Sequence, residues 1–292
     1  MKISSLLKDS RLSISFEVFP PKTESGYESV KDATERIAAL CPSFMSVTYG
    51  AGGGTSKYTL DIAKNIKERY GVPSIAHLTC VSSTKKTVSE RISDIKEAGI
   101  QNVMALRGDI PADRMNEDRS LWDYRHAVEL VRELRESSDD FCIGGACYPE
   151  IHPESSDRLE DIKFLKEKVD AGCDFLTTQM FFDNNILYSF LYKIREFGIT
   201  VPIIPGVMPI TSGRQVERAI KLSGSFMPER FKNLVDKFGR DDKAMMQAGV
   251  AYATDQIIDL YSNGISHVHV YSMNKPEIAE RIMANLSDIL GK

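Results

Sequence analysis

The chain predicts a closed (β/α)8 barrel of the TIM type, and three observations carry that expectation. Short β-type runs alternate with longer helical patterns from end to end, and such alternation pairs strands in parallel through right-handed crossovers. Eight such units fit within 292 residues, the size of one closed barrel, with an open doubly wound sheet as the structural alternative. Glycines stand between a helical pattern and the next strand at Gly71, Gly99, Gly172, Gly198 and Gly264, where helices end in the left-handed conformation that glycine tolerates.

The expected strands are Leu12–Phe19, Phe44–Tyr49, Ser74–Cys80, Asn102–Leu106, Phe141–Cys147, Phe175–Met180, Pro202–Val207 and His267–Ser272. Helical periodicity fills the intervals, as in Tyr27–Leu40, Lys57–Tyr70, Lys85–Ala98, Leu121–Arg135 and Arg158–Ala171. The last interval is longer than the others. It holds Ile210–Leu222, a Met227-Pro228 turn and a long pattern near Asp241–Asn263, which reads as an extra helix inserted before the final strand. No linker or low-complexity tract interrupts the chain, so residues 1–292 read as a single domain.

Composition narrows the function classes. A formal net charge of −4 argues against a protein that neutralises the phosphates of nucleic acid. No apolar run approaches the roughly 20 residues that span a bilayer. The amino-terminal stretch MKISSLLKDSRLSISFE lacks the apolar core and cleavage site of a secretory signal. Five cysteines (Cys41, Cys80, Cys142, Cys147, Cys173) show no CxxC spacing. Most sit in apolar segments, as small buried hydrophobes do, so no metal site is expected and the reducing cytoplasm is the expected compartment.

The chemistry is read from the first strand. In LSISFEVFPPK, side chains alternate between two faces, Leu12, Ile14, Phe16 and Val18 on one and Ser13, Ser15, Glu17 and Phe19 on the other. The outer face of a barrel packs on apolar helices, so the apolar line should face outwards and Glu17 should point inwards. It lies near the C-terminal rim, where active sites of this fold sit. The competing reading is a carboxylate satisfied by a nearby Arg or Lys. Other strands also end in polar residues: Thr48 and Tyr49, His77, Arg107-Gly108-Asp109, Tyr148 to His152, and Gln179. A ring of such residues at equivalent positions is the signature of a barrel active site.

Each member has a plainer explanation. Arg107 and Asp109 can form a rim ion pair worth little. Tyr148 and His152 can cap a helix start, with Ser155 or Ser156 as the nearer cap. His267 and His269 share one strand face, where a structural or substrate-contacting role outweighs metal ligation because no matching carboxylate is visible. The glycine-rich run after Tyr49 matches neither dinucleotide nor P-loop spacing.

Taken together the strings SFEVFPPK, VTYGAGG, AHLTC, ALRGD, YPEIHPE, LKEKVDAG, TTQMFFD, IIPGVMPI and HVYSMNK closely resemble the methylenetetrahydrofolate reductase family, in family order from residue 13 to 275. The resemblance is to the short prokaryotic form, without the eukaryotic carboxy-terminal regulatory domain. It implies FAD as cofactor and a hydride passing from NADH or NADPH through flavin N5 to 5,10-methylenetetrahydrofolate, giving 5-methyltetrahydrofolate. Glu17 matches the general acid that protonates folate N10. Asp109 matches the carboxylate near flavin and pterin. Gln179 and Gln215 match folate contacts, as does Lys275, which stands in place of an Arg. Thr48 matches a position near nicotinamide and flavin, and Tyr49, Ala51, His77, Arg107, Gly108, Asp109, Tyr148, His152, Asp161 and Lys168 match FAD contacts. Phe164, Glu167 and Ala219 depart from the best-known bacterial pattern, the first two at FAD contacts and the third where a Phe meets nicotinamide or folate. A folate-dependent methyltransferase barrel serving a corrinoid protein, and a flavin subunit of an electron-transfer complex with a partner subunit, stay open as alternatives, as does assembly into a homo-oligomer.

Overall fold

The apolar line of the first strand faces outwards, as its alternation requires, and the rest of the architecture follows from that. The computed structural model describes residues 1–21, 23–49, 56–110 and 114–291. Its strands are β1 (Ser13–Val18), β2 (Met45–Val47), β3 (Ser74–Thr79), β4 (Asn102–Leu106), β5 (Cys142–Cys147), β6 (Phe175–Thr178), β7 (Ile203–Ile204), β8 (Gly206–Val207) and β9 (His267–Val270). They pair in parallel, in the order β7-β6-β5-β4-β3-β2-β1-β9-β8.

The expected seventh strand is thus two. Pro205 has no N–H for a ladder, so Ile203–Ile204 pairs with β6 and Gly206–Val207 with β9. The Pro205 carbonyl still accepts the His269 N–H at 2.8 Å. The two ends of the sheet are therefore joined through one residue, and the barrel closes there.

The helices are α1 (Ile3–Leu6), α2 (Tyr27–Ala38), α3 (Ser56–Tyr70), α4 (Lys85–Glu97), α5 (Ala127–Ser137), α6 (Arg158–Asp170), α7 (Asn184–Glu196), α8 (Gly213–Ser223), α9 (Glu229–Phe238), α10 (Asp242–Ser262), α11 (Pro276–Asn285) and α12 (Ser287–Leu290). Each junction glycine named above has positive φ. The pattern expected from Leu121 starts instead at Ala127, because the Glu129 carboxylate accepts the His126 N–H at 2.8 Å and so defines the first turn. The extra helical structure before the last strand is present, and it includes α9, which lies between the Met227-Pro228 turn and the long helix α10.

Leu12, Ile14, Phe16 and Val18 join one core with the inner faces of the helices, among them Ile37, Ile62, Ile66, Ile92, Ile95, Val131 and Leu134. Inside the barrel, a separate apolar cluster of Ile3, Phe44, Ile75, Met104, Cys142, Phe175 and Ile204 fills the N-terminal end. There α1 acts as a floor. Asn102 pins it, its Oδ1 accepting the Ile3 N–H at 2.9 Å and its Nδ2 donating to Met1 O and Ser74 O at 3.1 Å. A third cluster (Met180, Phe182, Ile210, Val216, Ala219, Phe231, Met245) holds α8, α9 and α10 beside the upper rim. Among the described residues no helix is long and apolar enough to cross a membrane.

Candidate functional site

Above the apolar floor the barrel interior turns polar, and β1 and β9 build that layer together. The Ser13 hydroxyl meets His267 Nδ1 at 2.6 Å. One step higher, Ser15 meets His269 Nδ1 at 2.8 Å, and His269 Nε2 meets the Ser46 hydroxyl at 3.0 Å. Both ring nitrogens of His269 are thereby engaged, and its ring stacks on Phe44. Burial, then the nearby His77, lowers its pKa to about 3, so it is a neutral structural imidazole. The two histidines share one face as expected, and each is held there by a serine hydroxyl of β1.

Glu17 stands directly above. Its side chain retains 22% exposure, and it lines a cavity of about 1240 Å³ at the C-terminal ends of the strands. Its nearest ionisable partner is His77 Nε2 at 3.7 Å, too far for a hydrogen bond. Burial pushes the Glu17 carboxyl up to about 8 and lowers His77 to about 4. At neutral pH both groups are therefore uncharged, and Glu17 carries a proton. Among the described residues no Arg or Lys forms an ion pair with it.

Every candidate site residue among the described residues lines this one cavity except Lys275. Ala51 lies outside the described residues. Thr48 extends the β1–β2 ladder by donating its N–H to Val18 O at 2.9 Å, and its own carbonyl is held by the Thr59 hydroxyl. The Tyr49 ring lies under the Arg91 guanidinium at 5.0 Å. At Gly108 the backbone has φ +89°, and a Cβ would come within 3.0 Å of Thr79 and Val81. Only glycine makes that turn without strain, and it carries Arg107 and the exposed Asp109 to the cavity edge.

Arg107 does not pair with Asp109. Its guanidinium takes both oxygens of Glu154, which also lies 3.9 Å from Arg119. Tyr148 sets its ring edge on His152, centroids 4.6 Å apart. Burial raises the Tyr148 phenol, and burial with the Arg107 charge lowers His152. Neither caps α6. That cap is Asp157, whose carboxylate accepts the Glu160 N–H at 2.9 Å, and not Ser155 or Ser156. Asp161 shapes the preceding loop, accepting from the His152 N–H at 3.3 Å and the Ser155 hydroxyl at 3.2 Å. Lys168 reaches from α6 to donate to Ala146 O at the top of β5.

Next to Tyr148, at the end of the neighbouring strand β6, the Gln179 N–H donates to Cys147 O at 2.7 Å, and its Oε1 accepts the Met180 N–H at 2.9 Å. Gln215, in the first turn of α8, accepts from Thr211 N–H at 2.9 Å, and Lys275 donates to the Thr211 hydroxyl at 2.9 Å. Lys275 thus stands one residue behind the wall. Phe164, Glu167 and Ala219 all face the cavity, with Phe164 stacked near His126 at 6.1 Å. Sequence reasoning missed Glu154, Met208, Met273 and Tyr271. The last was legible as the next inward position after His267 and His269, and its hydroxyl donates to Thr178 O at 2.6 Å.

A family model described as methylenetetrahydrofolate reductase matches residues 2–287. Methylenetetrahydrofolate reductase (NADH) 1 of Zea mays is 36% identical over 295 residues, covering 98% of this chain and 50% of that protein. 5,10-Methylenetetrahydrofolate reductase of Pectobacterium carotovorum subsp. carotovorum is 34% identical over 276 residues, covering 94% of this chain and 90% of its own. The chain therefore spans about half the length of its plant relatives and nine-tenths of the bacterial one. Among solved structures, an uncharacterized protein from Clostridium thermocellum that binds two copies of 5-methyl-5,6,7,8-tetrahydrofolic acid shares the fold. Its TM-score is 0.66 at 17% identity, covering 100% of this chain and 99% of that one.

Proposed function

The chain belongs to the methylenetetrahydrofolate reductase family, and on that premise we propose that it reduces 5,10-methylenetetrahydrofolate to 5-methyltetrahydrofolate, using FAD and NADH or NADPH, with Glu17 as general acid. The observation that carries this reading is the Glu17 carboxyl: desolvated enough to hold its proton, without an Arg or Lys ion-pair partner among the described residues, and open to a large cavity.

The residues present suit FAD. The cavity, about 1240 Å³, is larger than the usual range for small-molecule sites. Lys168 and Arg107, the latter paired with Glu154 at the cavity edge, place cations on one side of it, suited to phosphates. The buried His77 Nε2 has no hydrogen-bond partner among the described residues and lines the same space, which suits a polar ligand edge. Thr48, Tyr49, Gly108, Tyr148, His152 and Asp161 would complete the cofactor site. Bound there, the flavin supplies hydride transfer between nicotinamide and folate.

The chain's own groups then have separable tasks. Glu17 delivers its proton to folate N10, opening the five-membered ring to an electrophilic iminium. A carboxyl with pKa about 8 holds that proton at neutral pH and still releases it to an amine in the transition state. Asp109, exposed at the rim, places negative charge beside the developing cation. Gln179 and Gln215 offer fixed amides to the folate, their Oε1 atoms anchored to backbone N–H groups.

The absorption spectrum of the purified protein tests this reading. A yellow protein with an oxidised-flavin spectrum, bleached anaerobically by NADH or NADPH alone, is expected. Colourless protein that FAD cannot reconstitute would overturn it and favour a methyltransferase; bleaching that needs a second protein would favour the electron-transfer subunit. A further expected result is that Asp109→Asn slows the folate half-reaction roughly tenfold to a hundredfold. Full turnover restored by saturating FAD would reduce Asp109 to a binding residue.

A further inference from the structure

The ladder that holds the Glu17 end of β1 is unequal on its two sides. Towards β2 the register continues through Glu17↔Ser46 and Val18↔Val47, and Thr48 donates to Val18 beyond it. Towards β9 it stops at Phe16↔Val270. From there the β9 chain turns away, and side chains take over the work of backbone. The Ser272 hydroxyl donates to Glu17 O at 3.3 Å. Two residues further on, the Asn274 amide grips Phe19 on both polar groups: Oδ1 accepts the Phe19 N–H at 3.0 Å, and Nδ2 donates to Phe19 O at 2.8 Å. One planar amide thus imitates a neighbouring strand's peptide group.

The geometry needed for that grip is costly. Met273 and Asn274 are consecutive non-glycine residues with φ of 56° and 53°, a left-handed pair that side chains other than Asn and Asp resist. Such conformations persist where surrounding contacts over-determine them, and they cluster at functional sites. Here the turn does two things at once. It points Asn274 at Phe19 and lays Met273 along the cavity that Glu17 lines.

We propose that Asn274 is a positioning residue for Glu17: its amide replaces the missing β9 ladder, fixing the height of the strand end that presents the carboxyl, while its left-handed backbone seats Met273 as the adjoining wall. The proposal rests on Glu17 being the acid, and the experiment separates the two. Asn274→Gly removes the grip but accepts positive φ without strain; Asn274→Asp keeps the acceptor for Phe19 N–H and loses the donor to Phe19 O.

In the flavin-loaded enzyme, both variants should slow the folate half-reaction at least tenfold more than they slow flavin reduction by nicotinamide, Gly more than Asp. In Asn274→Gly, which adds no charge, the alkaline limb of the folate half-reaction should also move to lower pH, because a looser strand end admits water to Glu17. The other titratable groups facing that carboxyl, His77 on β3 and His269 and Tyr271 on the β9 side, are unchanged in both variants. Equal slowing of both half-reactions, or an unmoved pH profile, would leave Asn274 a residue of the fold only. Glu17→Gln measured in parallel decides the acid separately: if it leaves folate reduction intact, the fault lies with that assignment.

Discussion

Glu17→Gln should lower the folate half-reaction by about a thousandfold, within the range a positioned general acid supplies, while flavin reduction by nicotinamide stays near its original rate. The substitution is unusually clean. Glu17 is neutral at pH 7 because burial lifts its pKa to about 8, so Gln alters neither charge nor, to a first approximation, shape. What it removes is the transferable proton. Anaerobic stopped-flow separates the two half-reactions through the flavin absorbance. Equal loss in both, or in neither, would remove Glu17 from its role.

The same protonation state sets a pH dependence whose sign can be worked out. Folate reduction should be level below pH 8 and fall about tenfold per unit above it, as the acid is lost. For stability, the folded chain keeps the Glu17 proton between about pH 4.5 and 8 while the unfolded chain releases it. Wild-type stability from this group is thus present below 4.5 and lost as pH rises through that window. His77 runs the other way: with its pKa lowered from 6.5 to about 4, its contribution is lost as pH falls through that interval. The two oppose each other between about 4.5 and 6.5, so a single melting curve conceals both. The difference between Glu17→Gln and wild type isolates Glu17, and should widen in the variant's favour from pH 5 to pH 8.

How much of this was legible in the sequence depends on how local each cause is. The direction of Glu17 was, because alternation along one strand fixes which face meets the helices, and Leu12, Ile14, Phe16 and Val18 declare that face. Thr48, Arg107, Tyr148 and Gln179 were too, since each directly follows the last residue of its own strand. What stayed hidden depends on groups far apart in the chain. Glu154 lies 47 residues from Arg107, and nothing local distinguishes that partner from Asp109 two positions away. The floor depends on Asn102 reaching Ile3 across 99 positions. Pro205 was visible, but a proline that divides one strand and one that ends it look alike until the neighbours on both sides are known. The Phe19–Asn274 grip spans 255 positions, and an Asn in a loop ordinarily reads as turn chemistry.

Gly249 shows a case where local reasoning predicts the wrong sign. It lies in the interior of α10 in the run MMQAGVAYATD, where replacing Gly by Ala ordinarily stabilises a helix by about 1 kcal/mol. In this fold a Cβ at Gly249 would sit 1.7 Å from the carbonyl oxygen of Ile210 and 2.8 Å from its carbon. The obstacle is backbone, which cannot rotate aside as a side chain can. Ile210 is itself buried within the cluster that includes Val216, Ala219, Phe231 and Met245, so neither partner has free space to retreat into. Overpacking of this kind costs about 3 kcal/mol or more, which exceeds the propensity gain. Gly249→Ala should therefore lower the melting temperature by roughly 6–12 °C. Because Ile210 leads directly into Thr211 and the first turn of α8, the displacement should also carry Gln215 away from its place on the cavity wall. Folate KM should then rise more than FAD affinity falls, since Arg107 and Lys168 belong to the β4 and α6 side of the cavity. Calorimetry with a titration of both ligands checks this. A variant melting at or above the wild-type temperature would mean that α10 does not press on Ile210 as described.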